Sequence, residues 1–130
     1  MFRYQGKYDE AQEWYRRALT QGERSLGKDH PDTLSTVHDM ANLFQDQGNY
    51  DEALRWYRRA LAGREIIMGK GHLDTLCTMY GIAAVFQKQG KDEQAIELYR
   101  QVLAGQEKTL SKDHPKSLST SHSIAEKLRK

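Results

Sequence analysis

From Thr33 to Gln47 the apolar residues fall at Leu34, Val37, Met40, Ala41 and Phe44. Steps of three and four place them on one face of a helix. Gly48-Asn49 then interrupts the pattern, as a glycine just past a helix end does. A second, longer pattern runs from Tyr50 to about Met68. Its apolar face carries Tyr50, Ala53, Leu54, Tyr57, Ala60 and Leu61, with Ile67 and Met68 later. Gly69-Lys70-Gly71-His72 reads as a loop. No segment alternates with a period of two over a useful length, so no strand is predicted.

The two patterns recur. Residues 6–47 laid over 48–89 give 23 identities in 42 positions without a gap, and a third copy runs over 90–130. Gly6, Gly48 and Gly90 align, as do Ala11, Ala53 and Ala95, then Tyr15, Tyr57 and Tyr99, and Leu19, Leu61 and Leu103. Leu34, Leu76 and Leu118 align, and Phe2 and Phe44 match Phe86 and Leu128. Helices are expected at about 8–26, 32–47, 50–68, 74–89, 92–110 and 116–129, with residues 2–5 as the end of a preceding helix. One such hairpin cannot bury its apolar face alone, and stacked neighbours make the core. Between units the chain reads Gly27-Lys28-Asp29-His30-Pro31 and Ser111-Lys112-Asp113-His114-Pro115. Proline suits a first helical turn, and a polar side chain such as Asp before it can cap the free amides. The second copy has Gly71 and Leu73 there, so its next helix is expected to start less sharply.

Composition narrows the function. A chain of 130 residues fits one domain, 1–130. The 20 basic and 18 acidic residues leave a net charge of +2, with the signs interspersed. That argues against a nucleic-acid or membrane-surface binder. No apolar stretch approaches the roughly 18 residues that span a bilayer, and Met1-Phe2-Arg3-Tyr4-Gln5-Gly6 lacks a signal-peptide apolar core. One cysteine, Cys77, excludes an intrachain disulfide and fits a reducing, cytoplasmic setting.

Gly48-x-Tyr50-x-x-Ala53-x-x-x-Tyr57-x-x-Ala60-Leu61 resembles the tetratricopeptide repeat. The 42-residue period with Gly-Lys-Asp-His-Pro between units looks like the kinesin light chain type. The run Asp51-Glu52-Ala53-Leu54-x-Trp56-Tyr57-x-Arg59-Ala60-Leu61-Ala62-Gly63-Arg64-Glu65 is most similar to repeats of fungal nucleotide-binding signalling proteins of the STAND/NB-ARC type. The resemblance implies an all-α, right-handed superhelical solenoid of about three antiparallel helix pairs, whose first helices line a concave groove. Carried onto this chain, the groove positions are Ser35, His38, Asn42, Gln45 and Asp46. The next copy supplies Cys77, Tyr80, Ala84, Gln87 and Lys88, and the last Ser119, His122, Glu126, Arg129 and Lys130. Where kinesin light chains usually carry Asn-Asn, this chain has His38-Asp39, Tyr80-Gly81 and His122-Ser123.

Other chemistry finds little footing. Gly22-Glu23-Arg24-Ser25-Leu26-Gly27-Lys28 matches seven letters of a phosphate-binding loop. Asp29 then replaces the required hydroxyl, and no strand precedes it. His30, His72 and His114 lie 42 residues apart on successive loops, without zinc-site spacing, and read as capping and packing residues. The Trp14/Trp56 and Tyr15/Tyr57/Tyr99 rows read as packing. Cys77 has no base beside it in sequence, and no catalytic constellation or cofactor motif can be assembled. His38, Tyr80 and His122 read either as solvated polar side chains or, in the sharper reading, as a polar, aromatic contact row whose charge varies near neutral pH. The expected function is a non-enzymatic interaction scaffold, part of a larger sensor or adaptor, holding a protein or peptide along the groove. The alternative is a structural segment that self-associates, because Leu118, Ile124, Ala125 and Leu128 lack a following helix.

Overall fold

The computed structural model describes residues 2–111 and 113–129, with side-chain surroundings from residue 7 onward. Lys112, expected in the last loop, and Lys130, expected on the groove, lie outside the described residues, as does the side chain of Phe2. Six helices follow one another: α1 (Phe2–Ser25), α2 (Pro31–Asp46), α3 (Tyr50–Met68), α4 (Leu73–Lys88), α5 (Asp92–Thr109) and α6 (Pro115–Arg129). No strand occurs among the described residues. The last five helices fall within one residue of their expected bounds.

α1 departs from expectation. It runs unbroken through Gly6-Lys7, where a break before a helix at 8–26 was expected. The aligned Gly48 and Gly90 take φ values of +80° and +81° because the chain reverses there between two packed helices. Holding a glycine in a helix costs only about 1 kcal/mol relative to alanine.

The helix exits share one device. Gly27, Gly48, Gly69 and Gly90 all have positive φ and follow one another at 21 residues, half the repeat. The left-handed turn lets the next amide reach back: Asn49 N–H donates to the Phe44 carbonyl at 2.9 Å, and Lys91 N–H to that of Phe86 at 2.8 Å.

The helix entries are set by histidine, not aspartate. His30 Nδ1 accepts from the amide of Asp32 at 3.1 Å, His72 from Asp74 at 3.0 Å and His114 from Lys116 at 3.1 Å. α4 therefore starts as sharply as α2, although it lacks proline and aspartate before it; the expected looser start is corrected. Replacing His72 by alanine is expected to lower stability by about 1 kcal/mol, while His72→Asn keeps a capping acceptor and most of the stability. Urea unfolding of the two variants checks this, and equal losses would show that the cap is not the reason.

The helices gather into two units, Met1–Ile67 and Met68–Lys130. In the first, Leu19, Val37 and Ala60 form a buried cluster with Trp56 packed against it, and Leu34, Met40 and Tyr57 are fully buried nearby. Contacts run in opposite senses along α2 and α3. Phe44 meets Trp56, His38 and Asn42 meet Tyr57, and Ser35 meets Arg64, so the helices are antiparallel. An exposed Arg59–Glu23 ion pair joins α3 to α1. Trp14 stands 59% exposed beneath Arg17, so only Trp56 of that row packs. Ile67, expected on the apolar face of its helix, is 44% exposed.

In the second unit Ala83, Ala95 and Tyr99 are buried, with Tyr80, Phe86, Leu98 and Ile124 packed around them. The α6 helix is fastened to the start of α5 by Lys127 Nζ on Asp92 Oδ1 at 3.0 Å. One close approach repeats in both units. Gly63 faces Leu34, and Gly105 faces Leu76, so tightly that an added Cβ would stand 2.6 and 2.8 Å from a leucine methyl.

Candidate functional site

The outward face of α2 carries Ser35 and Asp46, both exposed, and His38, Asn42 and Gln45, half-buried. Beneath it lies Arg64 of α3, only 5% exposed. A buried guanidinium needs partners to offset its lost hydration. Its Nη2 donates to Ser35 Oγ at 3.3 Å, and Nη1 lies 3.5 Å from His38 Nδ1. Arginine can only donate, so His38 meets it with the unprotonated Nδ1. The imidazole also stands edge-on to Tyr57, with centroids 5.4 Å apart. Beside them, partial burial raises the Asp39 carboxyl from its ordinary value, while Arg64 pulls it back.

In the second unit the faces of α4 and α6 come together. Cys77 and Lys88 are exposed on α4; Tyr80, Ala84 and Gln87 are half-buried. On α6 Ser119, His122, Glu126 and Arg129 are exposed. The Tyr80 and Ser123 hydroxyls lie 3.2 Å apart across the two helices, and the Tyr80 ring meets Tyr99 edge-on at 5.1 Å. Between α4 and α6 a cleft of about 250 Å³ opens, lined by Leu73, Cys77, Tyr80, Gln106, Lys116, Ser119 and Thr120. Of the expected contact residues, the cleft unites Cys77, Tyr80 and Ser119. Gln87, Lys88 and His122 stand outside it.

The expected row of titrating residues divides. His38 faces a guanidinium, Tyr80 a serine hydroxyl, and His122 Nε2 the Glu126 carboxylate at 3.3 Å. The three positions repeat in sequence but have no common electrostatic setting.

Two expected contact residues also serve the fold. The Tyr57 hydroxyl donates to Asn42 Oδ1, and the Tyr99 hydroxyl to Gln87 Oε1 at 2.7 Å. The tyrosines occupy one repeat position, but their acceptors do not. Asn42 aligns with Ala84, and Gln87 aligns with Gln45. Where the second copy loses the asparagine, the hydroxyl takes the glutamine one turn later. The buried phenol is thus satisfied in both units, by the asparagine in one and by the repeated glutamine in the other. Burial first, and the neighbouring Tyr80 second, raise the Tyr99 phenol above its ordinary value, which keeps it a neutral donor.

Arg64, Gln106, Lys116 and Leu73 were missed from sequence. A signal was present in the repeat: the first two align as Gly22, Arg64 and Gln106, and Lys116 replaces Asp32 and Asp74. Among the described residues no three His, Cys, Asp or Glu are grouped to hold a metal ion, and no helix is long and apolar enough to cross a membrane. The phosphate-loop-like segment at Gly22 lies at the C-terminal end of α1, where carbonyls rather than amides point outward.

A sequence profile described as Tetratricopeptide repeat matches residues 1–66 and 74–130. No curated protein matches the chain. Among solved structures, it is similar to a Podosopora anserina protein described as having kinesin light chain nearly identical TPR-like repeats. Identity is 28% and the TM-score 0.83, over 97% of this chain and 60% of that one. A single-substitution form of that protein gives 26%, 0.82, 97% and 59%. BtubC (BKLC) from P. vanneervenii superposes with a TM-score of 0.85 at 14% identity, over 95% of this chain and 50% of that one, a likeness of fold alone. The chain spans at most 60% of the length of these structures.

Proposed function

The chain belongs to the tetratricopeptide repeat family, whose members generally bind proteins or peptides, and on that footing we propose that it is a protein-interaction module. It holds a peptide or helix of its partner on the outward face of α2 or on those of α4 and α6, each within its own unit. One observation carries the reading: side chains on these faces change in the second copy while the frame beneath them repeats. Ser35, Cys77 and Ser119 share one repeat position, and His38, Tyr80 and His122 another. Beneath them Tyr57 and Tyr99, and the Gly63–Leu34 and Gly105–Leu76 contacts, are nearly unchanged. A shared scaffold with individual surfaces is what recognition of an extended partner uses. We place the module in a larger cytoplasmic sensor or adaptor.

Affinity capture tests this, with variants that spare the tyrosine acceptors Asn42 and Gln87. Asp46→Arg, Ser119→Arg and His122→Ala together, all at exposed positions, are expected to lose the captured partner. Arg55→Ser with Arg58→Ser, exposed on α3, is expected to keep it. Equal capture by both variants would sink the proposal.

The rival reading is stacking of copies, α6 of one against α1 of the next. Leu118 and Leu128 are 55% and 61% exposed and would supply apolar surface. Two observations disfavour it. Leu118 aligns with Leu34 and Leu76, whose partners are Gly63 and Gly105, but the aligned residue on α1 is Gln21. Its Cβ would strike Leu118 at that spacing. The α1 surface around Gln21 also carries Arg16, Arg17 and Arg24 against one Glu13, while α6 carries exposed Lys116 and Arg129 against Glu126, its Lys127 being paired with Asp92. Sedimentation at several concentrations is expected to show a monomer.

A further inference from the structure

The cleft between α4 and α6 exists because of one repeat position. In the first unit that position is Arg64, whose long side chain extends to Ser35 and His38. Its counterpart is Gln106, and the counterparts of Ser35 and His38 are Cys77 and Tyr80. Gln106 is shorter and turns the other way, its Oε1 accepting from Thr120 Oγ1 at 2.8 Å. The space beside Cys77 and Tyr80 is left open, about 250 Å³ of it.

The charge at its mouth is also particular to this copy. Asp32 and Asp74 occupy the first turns of α2 and α4, where an anion suits the positive end of the helix dipole. The aligned residue in α6 is Lys116, and the first turn of α6 holds no acidic residue. A cation there opposes the dipole, so local helix stability does not account for it. Lys116 forms no ion pair with a carboxylate of the described residues.

The geometry points to this cleft as a subsite for a glutamate side chain of the partner, an inference that rests on the interaction-module reading above. Lys116 supplies the cation, and the Ser119 hydroxyl is a second donor. Leu73 and the Tyr80 ring give apolar walls for the methylene stem. Donors and one positive charge over apolar walls complement a carboxylate on a short chain.

Titration of the full chain with N-acetyl-glutamate N-methylamide, followed by ¹H–¹⁵N NMR, tests the inference. Saturable shifts are expected at Tyr80, Lys116 and Ser119, with a Kd on the order of millimolar for so small a ligand. The isosteric glutamine compound should bind several-fold more weakly. Lys116→Asp restores the residue of the other copies, favours the helix, and should remove the saturable shifts. Gln106→Arg, which imitates Arg64, should close the cleft and do the same. Absence of saturation, equal binding of the glutamine compound, or full binding by Lys116→Asp overturns the subsite. If that happens while Asp46→Arg, Ser119→Arg, His122→Ala still loses its captured partner, only the cleft assignment falls.

Discussion

Gly63→Ala is expected to lower the unfolding free energy by up to about 2 kcal/mol, although alanine is the better helix former. The new Cβ would stand 2.6 Å from Leu34 Cδ2 and 2.9 Å from Cδ1. Turning the isopropyl group exchanges one methyl for the other and leaves the clash. Leu34 is 1% exposed, so its neighbours hold it in place. Overpacking of this kind costs about 1–3 kcal/mol, against roughly 1 kcal/mol gained in helix propensity. The sign of the result therefore depends on Leu34. In a Leu34→Ala background, itself destabilised by about 2–5 kcal/mol, Gly63→Ala should become neutral or stabilising. Urea unfolding followed by Trp56 fluorescence measures the cycle, since both tryptophans of the chain lie in the first unit. Additive effects would mean that the helices separate freely. Gly105→Ala should behave likewise against Leu76.

Gln87→Ala is expected to destabilise the second unit by about 1–3 kcal/mol, the cost of a buried donor that has lost its acceptor. Tyr99 is 1% exposed, and its hydroxyl donates to Gln87 Oε1. The reverse change, Tyr99→Phe, should cost less, because Gln87 is only half-buried and its carbonyl can turn to water. Ala84→Asn in the Gln87→Ala background should recover much of the loss. It places an amide where Asn42 serves Tyr57 in the first unit. Far-ultraviolet circular dichroism during urea unfolding reads all three variants. A failure of the asparagine to rescue would show that the two tyrosines do not share one mode of satisfaction. Because of this bond, loss of partner in a Gln87 variant would report on folding as much as on contact.

The glutamine also marks a boundary in what could be read without a structure. Gln87 is recognisable as a residue on the first helix of its repeat, and its identity with Gln45 is plain. Its bond to Tyr99 is not, because it arises only where Ala84 has removed the nearer acceptor. Likewise the spacing of His30, His72 and His114 identifies them as capping and packing residues. That they, and not the aspartates, hold the first amides requires the extended backbone at each cap. Gly6 shows the converse error. It repeats Gly48 and Gly90 in sequence, but it bends nothing, because a turn glycine acts only where packed helices demand a reversal.

The sequence by itself determined the kind of element, the number of copies and the central residues of the core. These follow from local requirements: spacings of three and four bury one helix face, and glycine is needed where φ turns positive. Five helix starts and the buried Leu34, Tyr57 and Tyr99 are of this kind. The tertiary structure alone decided which side chains fill the spaces between helices. Arg64 reaches toward Ser35 and His38, Gln106 turns to Thr120, and a cleft with Lys116 at its mouth remains. Such outcomes depend on side-chain length and on distances between helices far apart in the chain, which periodicity does not encode.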